Sequence, residues 1–397
     1  MGILLLAIPI YGSAAPLTER QSLEFGLNLM DFQQLLASQV ETARGELTRT
    51  ETWINPEFEL SREEVGDETE TGVWLRQRLD LSGRRALQRD AAQANLSAME
   101  AGAKSSRIER AANIRQQFFQ TLYHQQQQDL LGHWVEKFKA VEAAMFKREA
   151  SGDVSGYDRR RISREKVAIL AQQRESNANY QAAWVQLLGI LELDETQGFE
   201  AVQGELIPGV PPPLAEVLEA LKDLPALAQL RHRSETKRLA SRAFDLGHIP
   251  DLTIGLGQKR LEGPEGSDSG LMLSAALSLP LFDRQQGDYQ HATAEHRQVE
   301  SEYRLTLSRM QAEAHSLWKL TAQLADNARL FRQQSLAASY ELLDIAETAY
   351  HNNELGVLEL IDAYRNALES EVSALQLSLE ARMKQIELDK LIGRNLP

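Results

Sequence analysis

Histidine and carboxylate pairs are the first residues to test for metal or acid–base chemistry, and the eight histidines of this chain are scattered. His291 and His296 are five apart, which turns them about 140° from one another on a helix, so they share no ligand face. Glu295 lies one turn from His291, a spacing met more often on an ordinary helix face than at a metal site. The chain has no cysteine, which excludes thiolate metal sites, disulfides and a lipid-anchored N-terminal cysteine. Gly255-x-Gly257 sits in a strand pattern and lacks the following helix of a dinucleotide loop. No catalytic constellation remains. The residues point to a protein that is not an enzyme and holds neither cofactor nor metal.

Composition says what kind of scaffold these residues build. Hydrophobic residues make up 43% of the 397 residues but aromatic ones only 6%, which suits bundles of thin helices better than one thick core. A net charge of −14 disfavours binding to nucleic acid, which needs a basic surface. Met1 to Ala15 carry no charge and end in Ser13-Ala14-Ala15, a small-x-small pattern, so residues 1–15 read as a secretory signal peptide. No other segment reaches the ~20 apolar residues of a membrane-spanning helix. If the chain enters a bilayer, it does so as strands.

Four segments have the right pattern. Leu271, Leu273, Ala275, Leu277, Leu279 and Leu281 alternate with Met272, Ser274, Ala276 and Ser278, giving a strand over about 270–281 with one greasy and one smaller, more polar face. A partner strand covers about 251–260. An earlier pair covers about 56–63 and 72–82, where Val73, Leu75, Leu79 and Leu81 oppose Trp74, Arg76, Arg78 and Asp80, and a polar turn from Glu63 to Thr71 joins the two. Each strand has the length a tilted strand needs to cross a bilayer. Trp53 and Trp74 fit either an interfacial belt or ordinary packing.

The rest is helical. Leu17 to about Thr50 reads as one helix with Phe25, Leu29, Phe32, Leu36 and Val40 on its apolar stripe. Long helical hairpins run over about 84–189 and 284–393, the second opening with about 65 helical residues, roughly 100 Å at the usual rise. The plan occurs twice. Val40-Glu-Thr-Ala-Arg and Asn55-Pro56 recur at Ser234-Glu-Thr-Lys-Arg and Ile249-Pro250, and Gly152-Asp153-Val154-Ser155 recurs at Asn353-Glu354-Leu355-Gly356. Residues 16–193 form the first repeat, 194–213 an irregular proline-containing boundary, and 214–397 the second repeat. Ala314, Leu317, Thr321, Leu324, Ala328, Phe331, Ser335, Ala338, Leu342, Ile345 and Ala349 trace a heptad seam along the second long helix.

Four amphipathic strands cannot close a barrel, since about eight is the smallest number that does, and open edges are not tolerated in hydrocarbon. The long helices likewise need partners for their stripes. The chain therefore predicts a homo-oligomeric tube. The duplicated plan, with Trp53-Ile-Asn-Pro56, Ile249-Pro-Asp-Leu252, Leu279-Pro-Leu-Phe-Asp283 and Leu358-Glu-Leu-Ile-Asp-Ala363, resembles the TolC-type outer-membrane factor family over essentially the whole mature chain. Arg78-Leu-Asp-Leu-Ser-Gly-Arg-Arg85 resembles the branch serving cobalt-zinc-cadmium exporters. The resemblance implies a mainly α fold with a small β part: a trimeric α-barrel tunnel in the periplasm, continued by a twelve-stranded transmembrane β-barrel in the outer membrane of a Gram-negative bacterium. It also implies a periplasmic adaptor (membrane fusion) protein and an inner-membrane resistance-nodulation-division transporter as partners, with outer-membrane lipid around the barrel.

The family's periplasmic gate, carried over residue by residue, falls on Glu359 and Asp362. They are three apart on one helical face, and threefold repetition would ring an axis with carboxylates, which select cations. A solvated helix face is the plainer reading. In the first repeat Asp158 matches Glu359, but Arg161 stands where Asp362 stands, so interhelical salt bridges are expected there. The reversals at Gly152, Asp153, Val154, Asn353, Glu354, Leu355 and Gly356 are the implied adaptor contacts, or simply helix caps. The function implied is a passive exit duct for heavy-metal cations. The alternatives are a drug-efflux or type I secretion channel and, from another class, a periplasmic coiled-coil adaptor or scaffold.

Overall fold

The computed structural model describes residues 16–152, 154–194 and 198–394. The expected signal peptide, residues 1–15, lies outside them. In chain order the elements are β1 (Leu17–Thr18), α1 (Glu19–Leu27), α2 (Met30–Glu51), β2 (Glu57–Val65), β3 (Glu68–Leu79), α3 (Arg84–Ala150), α4 (Gly156–Leu191) and β4 (Val202–Gln203). Then follow α5 (Leu214–Ala220), α6 (Pro225–Asp245), β5 (Asp251–Gly263), β6 (Gly266–Ser278), α7 (Gln286–Leu330), a π-helical turn (Phe331–Leu336), α8 (Ala337–His351) and α9 (Val357–Leu391).

Two compact units result, and they do not follow the two sequence halves. One takes its described residues from Met1–Gln33, Ser106–Lys222 and Met310–Pro397, the other from Gln34–Ser105 and Asp223–Arg309. Each long helix with no internal proline, α3 and α7, contributes a segment to both units.

The first unit is helical. Near the two reversals its core joins Trp134, Phe138 and Met145 of α3, Ile162 and Ile169 of α4, Leu343 and Tyr350 of α8 and Leu360, Ile361 and Tyr364 of α9. A second cluster gathers Leu17, Leu27, Ile114, Phe118, Phe119, Leu122, Leu187, Val202 and Leu206. Arg115 is buried here with Asp389, Nη1 to Oδ2 2.9 Å, and donates through Nε to Glu19 at 2.6 Å.

Two expectations change here. Leu17 to Thr50 is not one helix: Leu17 pairs in parallel with Val202, Thr18 caps α1 in a reciprocal box with Gln21, and Asn28 ends α1 before α2 begins. The irregular stretch 194–213 packs on this unit in its second half, where Val202 and Leu206 are core residues and Pro208 and Pro212 accept hydrogen bonds from Arg329 and Trp318. The heptad seam holds at Ala314, Leu317, Thr321 and Ala328, which are buried, and then slips. Beyond the π turn Leu343, Ala346 and Tyr350 are buried in place of Leu342, Ile345 and Ala349. A π turn bonds i to i+5, so it uses one extra residue and delays the helix face by one position.

The second unit holds a four-stranded antiparallel sheet in the order β2-β3-β5-β6, with α2, α6 and the proximal parts of α3 and α7. The hairpins are longer than their sequence pattern suggests. β2 and β3 join at Gly66-Asp67, with Glu63 to Val65 and Glu68 to Thr71 already paired, because ladder bonds need only backbone while the polar side chains stay in water. β6 begins at Gly266 and ends at Ser278, ahead of Pro280, which has no amide to donate.

Candidate functional site

The sheet register sorts the side chains by face. Leu60, Val73, Gln258 and Leu271 stand in one row, Phe58, Leu75, Leu256 and Leu273 in the next, and Leu79, Leu252 and Leu277 in a third, all on one side. The first two rows have no cover, with Leu271 85% and Leu273 86% exposed, while Leu79 and Leu252 in the third are half-buried. The opposite side carries Glu59, Trp74, Gly257 and Met272 in one row and Glu57, Arg76, Gly255 and Ser274 in the next.

On this polar side Trp74 lies against Gly257, where a Cβ would come within 2.6 Å of the indole. Arg76 stacks on the same indole at 5.3 Å and pairs with Glu59. Trp74 is thus a packed residue in mid-sheet rather than a member of an interfacial belt. Trp53, past the end of α2, is exposed under the Arg85 guanidinium, 5.3 Å from its ring centre. At the sheet's lower end the buried Asp251 carboxylate accepts from Arg78 and, at 3.3 Å, from Arg84, the second residue pair tying β3 and β5 to the start of α3.

The two helix reversals come together in the first unit. Arg148 near the end of α3 donates to the Asn353 side chain and stacks on Tyr350 at 5.0 Å, and the Tyr350 hydroxyl donates to Met145 Sδ at 3.1 Å. Gly152 adopts φ +84°, a left-handed conformation that closes the first reversal without a Cβ penalty. Asn353 takes φ +60° at the second, and Gly356 is the N-cap position of α9. Val154 and Leu355 turn inward against the core, leaving Gly152, Asn353, Glu354 and Gly356 exposed, while Asp153 lies outside the described residues.

Glu359 and Asp362 are exposed on α9 and continue with Asn366 and Glu369 as one polar stripe at spacings of three and four. Asp158 is half-buried in the first turn of α4, which Ser155 caps: the Asp158 amide donates to the Ser155 hydroxyl at 3.1 Å, and the Asp158 carboxylate accepts from that hydroxyl at 2.6 Å. Arg161 is half-buried and forms no ion pair with the described residues of its own chain; Arg159 instead pairs with Glu149 across the first reversal. The cross-links between hairpins that sequence reasoning missed are Arg365 to the buried Glu165, 3.2 Å, and Trp134 Nε1 to Glu371, 3.2 Å. The first had a signal. Glu165 and Arg365 are 200 apart, close to the repeat offset, so residues in equivalent positions of α4 and α9 meet.

Electrostatics here serve structure. The Lys166 ammonium and Ser163 hydroxyl hold the Glu142 carboxyl below its usual range. Burial, then a 2.8 Å hydrogen bond to Glu347, pushes the Tyr364 hydroxyl well up. His291 faces Glu295 at 3.5 Å, but Lys237 holds that carboxylate at 2.9 Å. Among the described residues no group of three or more His, Asp or Glu could hold a metal ion. None of them is a helix long and apolar enough to cross a membrane.

The chain matches no protein-family model. It is 23% identical over 396 residues to the cobalt-zinc-cadmium resistance protein CzcC of Cupriavidus metallidurans, covering 98% of this chain and 93% of that one. The structure of CusC superposes with a TM-score of 0.78 at 16% identity, covering 95% of this chain and 92% of that one. The outer membrane protein VceC of Vibrio cholerae gives 0.78 at 14% identity, with 96% and 97% covered. The fold is that of the TolC-type outer-membrane channels, as the sequence resemblance implies.

Proposed function

From the TolC-type fold, we propose that this chain is one protomer of an outer-membrane efflux channel: three copies pool four strands each into a barrel and their helices into a periplasmic tunnel. The observation that carries the reading is the uncovered apolar face shared by all four strands opposite a polar one. In water such a face is unstable. In a bilayer it meets hydrocarbon while the polar face lines a lumen, and the open edges β2 and β6 must pair with neighbouring copies. A periplasmic scaffold has no use for that sheet.

Likeness to CzcC along nearly the whole of both chains supports heavy-metal cations as cargo. Energy and selectivity then come from an inner-membrane resistance-nodulation-division transporter, joined through an adaptor that docks at the two reversals, where Gly152, Asn353, Glu354 and Gly356 are exposed and Val154 and Leu355 brace the turns from within. Glu359 and Asp362, with Asp158 and Arg161 at the corresponding positions of the first repeat, form the periplasmic gate in this reading. Deleting the gene and measuring zinc, cobalt and cadmium export beside drug sensitivity tests it. Loss of metal export with unchanged drug sensitivity is expected, and the reverse pattern would overturn the cargo assignment.

A further inference from the structure

The π turn Phe331–Leu336 does more than interrupt a helix. Ahead of it the seam of α7 is buried at Ala314, Leu317, Thr321 and Ala328. After it the same three-four spacing continues in sequence through Ala338, Leu342 and Ile345, but the one-residue delay turns these outward: Leu342 is 64% and Ile345 61% exposed. The inward face is already filled, by Leu343, Ala346 and Tyr350 in a core shared with α9. α8 therefore carries two apolar faces, one of them without a partner.

Resting on the trimeric reading above, we propose that the π turn aims this outer seam of α8 at α4 of a second copy of this chain. The outer side of α4 presents Tyr157, Arg160, Arg164 and Val167, spaced three, four and three and all exposed. Its inner side, with Ile162, Glu165 and Ile169, is occupied by the chain's own core and by Arg365. Charge matches across the two patches: Glu341 and Asp344, both exposed, flank Leu342 and Ile345, whereas Arg160 and Arg164 lie between Tyr157 and Val167. Height matches as well. The two reversals are held side by side by Arg148 with Asn353 and Tyr350 with Met145, and each patch lies within about 20 Å of its own reversal at the helical rise. Two different patches at one level form a head-to-tail contact, which closes into a ring when the rotation allows.

The chain has no cysteine, so Val167→Cys with Ile345→Cys introduces the only thiols. Mild oxidation of membranes holding the double variant is expected to give a covalent trimer resistant to denaturing gels and absent from either single variant. Deleting Gln333 in that background removes the extra residue of the π turn, and at least a tenfold loss of cross-linked product is expected. The cysteine pair alone decides should the deletion fail to fold. Light scattering on the detergent-solubilised parent chain separates the two claims. A trimer whose paired cysteines do not link, or whose Ile345→Cys single variant links to itself or to another protein, overturns the α8 to α4 seam. A monomer overturns the trimeric reading and the seam with it.

Discussion

At the scale of single residues the chain places its strongest polar contacts where they hold helices in register. Arg115 and Asp389 are 5% and 4% exposed at their side chains, so removing Arg115 takes a cationic partner from a carboxylate held in a low dielectric. Arg115→Met is expected to lower unfolding stability by about 3–5 kcal/mol, read as a fall in the melting temperature of the detergent-solubilised protein. Glu142 gives a pH signature. Its folded pKa lies below the ordinary 4.5 because Lys166 and Ser163 bind the ionised form, so its contribution is complete above that value and disappears as pH falls through the lowered one. Glu142→Gln is expected to destabilise the α3–α4 hairpin at neutral pH by about 1–2 kcal/mol and to match the parent once the pH has fallen below the lowered carboxyl pKa. Hydrogen exchange near the first reversal at the two pH values measures this. A constant difference would mean that Glu142 acts through packing rather than charge.

At the scale of elements the sheet makes the sharpest claim, because neighbouring residues of one strand are assigned to opposite solvents. Leu273→Arg places a charge on the apolar face and is expected to cost about 2–4 kcal/mol if that face sits near the bilayer centre. Met272→Arg, one residue earlier and beside Gly257 on the polar face, is expected to be tolerated. The yield of each variant in urea-washed outer membranes checks the pair, and equal yields would count against a lipid-facing sheet. The face alternation of β6 was legible in Leu271 to Ser278, since a period of two leaves little ambiguity when one side is uniformly apolar. Less legible was Leu17, whose pairing with Val202 depends on a contact 185 positions away that no local pattern marks. The π turn was invisible for a related reason. Nothing in Phe331 to Leu336 breaks an α-helix, and only the burial of Leu343 rather than Leu342 reveals the slipped phase. Among candidate site residues, Gly152 carried a capping signature readable from sequence, whereas the Ser155 cap that Asp158 bonds was not read from it, and the meeting of Arg148 with Asn353 required the two reversals to be side by side.

At the scale of the whole molecule the proposed function rests on repetition, since one chain offers a four-stranded sheet with two open edges and an exposed acidic stripe. Glu359, Asp362, Asn366 and Glu369 follow one face of α9, and with Glu359 and Asp362 at one level a threefold axis would gather six carboxylates around the tunnel mouth. Such a ring concentrates cations and repels anions over roughly a Debye length, about 8 Å at physiological salt, so its effect on current should fade as ionic strength rises. Asp362→Ala, and more strongly the double variant with Glu359→Ala, is expected to reduce cation preference in planar-bilayer recordings and to raise the conductance of the resting channel. Arg161→Ala is expected to raise conductance only if Arg161 pairs with an acid of a neighbouring copy, because within its own chain it closes no ion pair among the described residues. Unchanged selectivity in the double variant at about 0.1 M salt, where screening is incomplete, would return Glu359 and Asp362 to the plain role of a solvated helix face and move the constriction elsewhere along the duct.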